Sequence, residues 1–204
     1  DILGNVFVTG NYTGTVDFDP GAGTDIHISN GFADIYIQKM DASGNFQWAR
    51  TFGESNTDYG YSLTTDAAGN VYGTGLFLNT VDFDPGAGVE NHTSNGSYDV
   101  YVIKLNISGD LLWVKTFGGS SDDEGFGITV NIAGNVYVMG AFSETVDFDP
   151  NAAVNNQTVN GMHDVFILEM SPSGNLIWIK TFGGAGEDYA VSLAADASGN
   201  VYTT

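Results

Sequence analysis

The chain has 204 residues and sets 25 Asp plus Glu against only 5 Lys plus Arg, a formal net charge of −20. That balance excludes binding to a nucleic-acid backbone, which needs cations to displace counterions, and it disfavours anionic membrane surfaces. No apolar run approaches the roughly 18 residues of a spanning helix. The lack of Cys removes thiol chemistry, disulfides and Cys-ligated zinc, and suits an exported bacterial protein as well as a cytosolic one.

Internal repetition organises the sequence. Gly4-Asn5-Val6 returns at Gly69-Asn70-Val71, Gly134-Asn135-Val136 and Gly199-Asn200-Val201, a period of 65 without insertions. The segment TVDFDP at 15–20 returns at 80–85 and 145–150, and Trp48, Trp113 and Trp178 keep the same spacing. The chain therefore divides into repeats 1–65, 66–130 and 131–195, and 196–204 opens a further repeat in the phase of the first residues.

Taken in chain order within one period, short apolar segments bounded by turn residues predict strands. The first covers 70–77. VDFD at 81–84 predicts a short extra strand stopped by Pro and Gly. The next, 99–105, is apolar on both faces. Asn106-Ile107-Ser108-Gly109-Asp110 suits a hairpin loop leading to a strand over 111–117, where Leu111, Trp113, Lys115 and Phe117 share one side. A further strand lies near 125–131. A four-stranded antiparallel sheet with two apolar faces must be covered on both, which stacked propeller-like blades achieve. The expected fold is therefore all-β, three tandem blades each with an extra VDFD strand. A β-solenoid of about three rungs of ~20 residues per period is the alternative.

GNVYGTGLF, DVYVIKLNISGDLLWVKTFGG and DEGFGITVNIAGNVYV resemble the bacterial SBBP-type beta-propeller repeat over essentially the whole chain. The resemblance implies a secreted or cell-surface bacterial protein; the VDFDPGAG block departs from shorter versions of that repeat. Propellers close with about four to eight blades. Three repeats lead us to expect an excerpt of a longer array, or a protomer whose matching ends join neighbours head to tail.

The sharpest chemical motif is the carboxylate pair of VDFDP: Asp17 with Asp19, Asp82 with Asp84, and Asp147 with Asp149. In an extended segment each pair points to one side and Phe18, Phe83 or Phe148 to the other. Two such charges about 5 Å apart repel by roughly 0.8 kcal/mol even in water, so a cation or hydrogen-bond donors must offset the repulsion. Calcium, which takes oxygen ligands alone, is one expectation; capping of the Pro-Gly turn by backbone amides is the other. Asp34, Asp99 and Asp164 each begin a strand and read as turn or cap residues, or as additional ligands.

Arg50, Lys115 and Lys180 lie two residues after a Trp on one strand face, which allows a cation over the indole, or pairing with a neighbouring Asp. The Trp residues read as blade-to-blade core. His27 and His92 share a phase that Gln157 breaks, and no unique nucleophile, base and acid stand out, so no enzymatic activity is expected. Sequons begin at Asn11, Asn91, Asn95, Asn106 and Asn156. Together these features predict an extracellular or cell-surface structural or adhesive repeat protein that assembles with itself into a filament, with calcium as a stabiliser; a carbohydrate-active enzyme is the weakest alternative, because both carboxylates of VDFDP lie on one strand instead of across a cleft. The second reading is a propeller that binds a glycan or a protein. A receptor should gather residues that break the repeat around one pocket; Glu169, Asn151 and Met162 look scattered in the third period.

Overall fold

The computed structural model describes residues 1–151, 153–196 and 199–204. The first period holds β1 (Val6–Tyr12), β2 (Thr15–Asp17), β3 (Ile26–Ile28), β4 (Asp34–Met40), β5 (Phe46–Phe52) and β6 (Tyr59–Thr65). The second continues with β7 (Val71–Phe77), β8 (Thr80–Asp82), β9 (Asn91–Thr93), β10 (Asp99–Leu105), β11 (Leu111–Phe117) and β12 (Glu124–Val130). The third has β13 (Val136–Phe142), β14 (Thr145–Asp147), β15 (Asn156–Thr158), β16 (Asp164–Met170), β17 (Leu176–Phe182) and β18 (Leu193–Ala195), and β19 (Val201–Thr203) follows. The fold is all-β, as the sequence predicts, and the short extra strand expected over VDFD is Thr-Val-Asp in each repeat, ending before the Phe.

The sheets are antiparallel, with orders β1-β4-β5, β6-β7-β10-β11 and β12-β13-β16-β17. Each four-stranded sheet takes its first strand from the end of one 65-residue period and three from the next. Strands pair within their own sheet, giving separate blade-like units rather than rungs shared along the chain. β6 packs against β12, and β12 against β18, so the first strands of successive sheets are neighbours. Glycine at 75 on β7 permits the close pairing there: a Cβ would run into the Tyr59 carbonyl oxygen, and one at Gly140 into the Glu124 carbonyl oxygen.

The end of each sheet that carries the tight turns is closed by local hydrogen bonds. The Asp41 carboxylate accepts the Ser43 and Asn45 amides at 2.8 and 2.9 Å and the Asn45 Nδ2 at 2.8 Å. Asp66 makes the same set with Ala68 and Asn70. This satisfies the turn between antiparallel strands, with Gly44 and Gly69 supplying the left-handed backbone (φ 81° and 80°).

The core lies between sheets. Ile35, Ile37 and Phe52 of the first sheet meet Val71, Phe77, Tyr101 and Ile103 of the second. Val100, Val102 and Phe117 of the second meet Val136, Phe142, Phe166 and Leu168 of the third. β10 thus points Val100 and Val102 one way and Tyr101 and Ile103 the other, which is why its sequence is apolar throughout. β7 and β13, covered on both faces, are buried at every position. β1, in the same phase but with one covered face, is largely half-exposed.

The Phe of each VDFDP segment enters these layers. Phe83, fully buried, lies 5.3 to 6.2 Å from the rings of Tyr101, Phe77 and Phe52. Phe148 sits 5.0 to 5.4 Å from Phe166, Phe142 and Phe117. A hairpin the sequence did not announce holds each Phe in place: β2 pairs with β3, β8 with β9 and β14 with β15.

Candidate functional site

The β13-β14 turn, the chain after β15 and the link from β11 to β12 meet beside the third sheet. They enclose a cleft of about 390 Å³ lined by Ser121, Asp122, Ser143, Glu144, Val159, Gly161, Met162 and His163. Counting back 65 residues, the counterparts are Asn56, Thr57, Leu78, Asn79, Ser94, Gly96, Ser97 and Tyr98. Only Gly161 keeps the identity of its counterpart. These phases differ in the first repeat as well, which carries Thr13, Gly14, Phe32 and Ala33 there, whereas Phe18, Phe83 and Phe148 are the same in every repeat.

The cleft is held by its own polar groups. Ser143, 5% exposed, donates from Oγ to the Asp122 carbonyl at 2.8 Å and lies 2.8 Å from His163 Nδ1. With the Ser143 proton committed to that carbonyl, Nδ1 is the donor to Oγ, which fixes the ring's tautomer when it is neutral. The Ser143 amide donates to Asp123 Oδ1 at 2.9 Å. His163 stacks at 5.5 Å on Tyr189. Glu144 accepts a hydrogen bond from the Ser120 hydroxyl. The Glu144 backbone has φ 54°, in the left-handed region, where Gly14 and Asn79 occupy the same phase at 65°. Gly and Asn tolerate that conformation more readily than Glu. The nearby Glu124 carboxyl is raised by burial and by Asp122, against the opposing pull of His163. Ser143 is not an activated nucleophile here: its hydroxyl is buried and donates to a carbonyl.

The VDFDP carboxylates serve the turns that follow them. Asp17 Oδ1 accepts the amides of Asp19 and Asp25 at 3.1 and 2.8 Å, and Asp82 and Asp147 repeat the pattern. Asp19, Asp84 and Asp149 accept the amides of Gly21, Gly86 and Asn151 at 2.7 to 2.9 Å. Backbone donors therefore supply the compensation that the sequence demanded. Among the described residues no group of three or more His, Cys, Asp or Glu is placed to hold a metal ion.

Asp34, Asp99 and Asp164 do cap the preceding loop, accepting the amides of Asn30, Asn95 and Asn160 at 2.9 to 3.1 Å. They are also almost fully buried, and Oδ1 of each finds no hydrogen-bond partner. Asp58 and Asp123 are buried beside them, before the first strand of the next sheet. Burial pushes Asp58 and Asp99 up to about 6 and Asp123 up to about 7, with Asp34 adding repulsion at Asp58 and Asp99 at Asp123.

Lys39, Arg50 and Lys104 bind the following repeat through its backbone, whereas Lys115 donates to the Asn151 side chain. The Arg50 guanidinium lies 5.3 Å over the Trp48 ring and donates to the Gly109 and Ser108 carbonyls at 3.1 and 2.9 Å. Trp48 Nε1 and Lys39 Nζ both donate to the Ile107 carbonyl at 3.2 Å. One repeat on, Trp113 Nε1 and Lys104 Nζ donate to the Pro172 carbonyl at 3.1 and 3.4 Å. The repeat-breaking residues noticed in the sequence are dispersed: Glu169 bonds Asn135 and Tyr137, Asn151 receives Lys115, and Met162 lines the cleft. Sequence reasoning missed Asp122, Ser143, Glu144 and His163; comparing each position with its counterpart 65 residues earlier finds them.

No protein-family model matches the chain. The chain is similar to an uncharacterized WD repeat-containing protein of Acanthamoeba polyphaga mimivirus, 22% identical over 212 residues that cover 91% of this chain and 15% of that protein. It is also similar to the regulatory protein FlaEY of Caulobacter vibrioides, 28% identical over 176 residues covering 82% of this chain and 18% of that protein. The chain spans less than a fifth of either relative's length. The all-β repeats and the WD-repeat relative fit a propeller-like class.

Proposed function

We propose that the chain is part of a repeat-built protein-interaction module whose recognition point is the cleft between the 121–122 link and the 143–144 turn. The observation that carries this reading is the divergence of the cleft lining from the repeat, on sheets whose packing residues keep it. The similarity to a WD repeat-containing protein supports a repeat-based interaction module. Resemblance to SBBP-type repeats supports an exported or cell-surface setting for it.

A photo-reactive residue placed at Met162 tests the reading against the same residue at Ser97, its counterpart, in the native host. A defined protein adduct at position 162 and none at 97 is expected. Equal labelling, or none at either position, overturns it. Self-association into a scaffold is the second reading, favoured by the equivalent Trp48 and Trp113 contacts to the next repeat. Sedimentation of the purified protein across a wide concentration range separates the two, because a scaffold grows in size with concentration.

A further inference from the structure

We propose that the buried carboxylate pairs at the junctions between successive sheets, Asp34 with Asp58 and Asp99 with Asp123, each hold a calcium ion. The observation that points to a ligand is an orphaned oxygen. Asp34, Asp99 and Asp164 are only 1 to 2% exposed, and Oδ1 of each finds no hydrogen-bond partner. Each lies against a glycine, Gly53, Gly118 or Gly183, where the Cβ of any other residue would run into the carboxylate. The second carboxylate of each pair addresses the next residue along: Asp58 Oδ2 accepts the Glu54 amide at 3.3 Å, and Asp123 Oδ2 the Gly119 amide at 2.7 Å. Two acidic side chains thus converge on one two-residue segment, and one of them brings an oxygen that the protein leaves unmatched. Asp164 and Asp188 repeat the arrangement at Gly183 and Gly184.

Chemistry narrows what meets that oxygen. A proton on Oδ1 would itself need an acceptor, and none lies in reach. No cationic side chain answers the charge: Lys39, Arg50 and Lys104 bond backbone carbonyls, Lys115 bonds Asn151, and the ion pairs among the described residues are those of His27 with Asp25 and His92 with Glu90. A water molecule satisfies the oxygen but leaves two desolvated negative charges side by side, which burial makes costly. A small cation meets both demands. The donors are oxygens without thiolate or imidazole, and calcium accepts irregular sets in which carboxylates are completed by backbone oxygens and water. The Gly118 carbonyl borders the pair, because Asn95 Nδ2 reaches both it, at 3.1 Å, and Asp99 Oδ2, at 3.3 Å. Asp99 begins β10 and Asp123 precedes β12, so the ion ties the second sheet to the third, as its counterpart ties the first to the second. The VDFDP carboxylates, by contrast, cap turns and leave no buried oxygen unmatched among the described residues.

The test starts from chelator-treated protein at constant ionic strength. Millimolar calcium is expected to raise the melting temperature by about 5 °C, and magnesium, which demands a stricter geometry, to do much less. Terbium should give emission sensitised by Tyr59 and Tyr98, next in sequence to Asp58 and Asp99, and calcium should quench it by displacement. The triple variant Asp34→Asn, Asp99→Asn, Asp164→Asn keeps an acceptor for the loop amides and should lose both responses. The triple variant Asp19→Asn, Asp84→Asn, Asp149→Asn removes the same charge at the VDFDP turns and should keep them. Should the first variant not fold, Asp99→Asn alone is expected to lower the number of calcium ions bound, counted by equilibrium dialysis, by one. No calcium response in the parent protein, a response that magnesium matches, one that survives the first triple variant or is lost equally in both, or an unchanged ion count in Asp99→Asn overturns the proposal. Such a failure leaves the cleft reading intact, because no residue lining the cleft is altered.

Discussion

Between the first and second sheets, Thr57, Leu78, Asn79 and Tyr98 stand where Asp122, Ser143, Glu144 and His163 stand between the second and third. In the packed layers the two junctions are alike: Phe83 is wedged among Phe52, Phe77 and Tyr101, and Phe148 among Phe117, Phe142 and Phe166. The centre is held by close packing, which tolerates little change in shape. The rim bears none of that load, so it is free to differ, and here it differs in charge, polarity and apolar surface together. Departure from the repeat is therefore informative at the rim in a way it is not at the centre.

The sharpest test of a common centre is Phe83→Ala beside Phe148→Ala. Each empties a site of the same kind, so each should cost about 3–5 kcal/mol in urea unfolding. A difference of more than about 2 kcal/mol between them, outside ordinary scatter, would mean that the two junctions are not equivalent.

Smaller effects should come from the buried carboxylates. Asp58, Asp99 and Asp123 are raised in the folded state to about 6, 6 and 7. The folded protein therefore holds their protons more tightly than the unfolded chain does. Their contribution to stability is full below about pH 4 and is lost as pH rises through 6 to 7. Asp41, held low by its hydrogen bonds to Asn45, acts in the opposite sense only in more acid solution. The urea midpoint should accordingly fall between about pH 5 and pH 8. Asp99→Asn keeps the acceptor for Asn95 and removes the buried charge, so it should flatten this fall and gain on the order of 1 kcal/mol at pH 8. An unchanged pH profile in that variant would sink the assignment.

Asp84→Ala removes the acceptor of the Gly86 amide at an exposed turn, and should lower stability by about 1 kcal/mol or less. At the rim, Glu144→Asn restores the residue that the preceding repeat carries at the same φ. It should raise the thermal midpoint slightly, by about 0.5 kcal/mol in stability, because Asn accepts the left-handed backbone more readily. A loss of stability would show that the Ser120 hydrogen bond outweighs the strain.

Much of the fold was legible because packing leaves a period in the sequence. The strand β10 was visible as Val100 to Leu105, apolar on both sides, and it is covered on both sides. The alternation in VDFDP put Phe opposite the Asp pair, and the structure buries the Phe and leaves the carboxylates at the turn. The partner strands were not legible: Asn91-His92-Thr93 and Asn156-Gln157-Thr158 are polar, short and largely exposed, so nothing in their composition marks a strand. Trp48 and Trp113 were expected in the core between blades. They are half-buried there, each also spending its N–H on the next repeat.

The sequence by itself determined the period, the all-β character and the residues that fill each layer, because burial against a copy imposes the same apolar pattern on every copy. Only the tertiary structure decided that Asp122, Ser143, Glu144 and His163 share one cleft. They come from three separate connecting segments, and their proximity depends on how a hairpin folds over a sheet edge, which no local periodicity encodes.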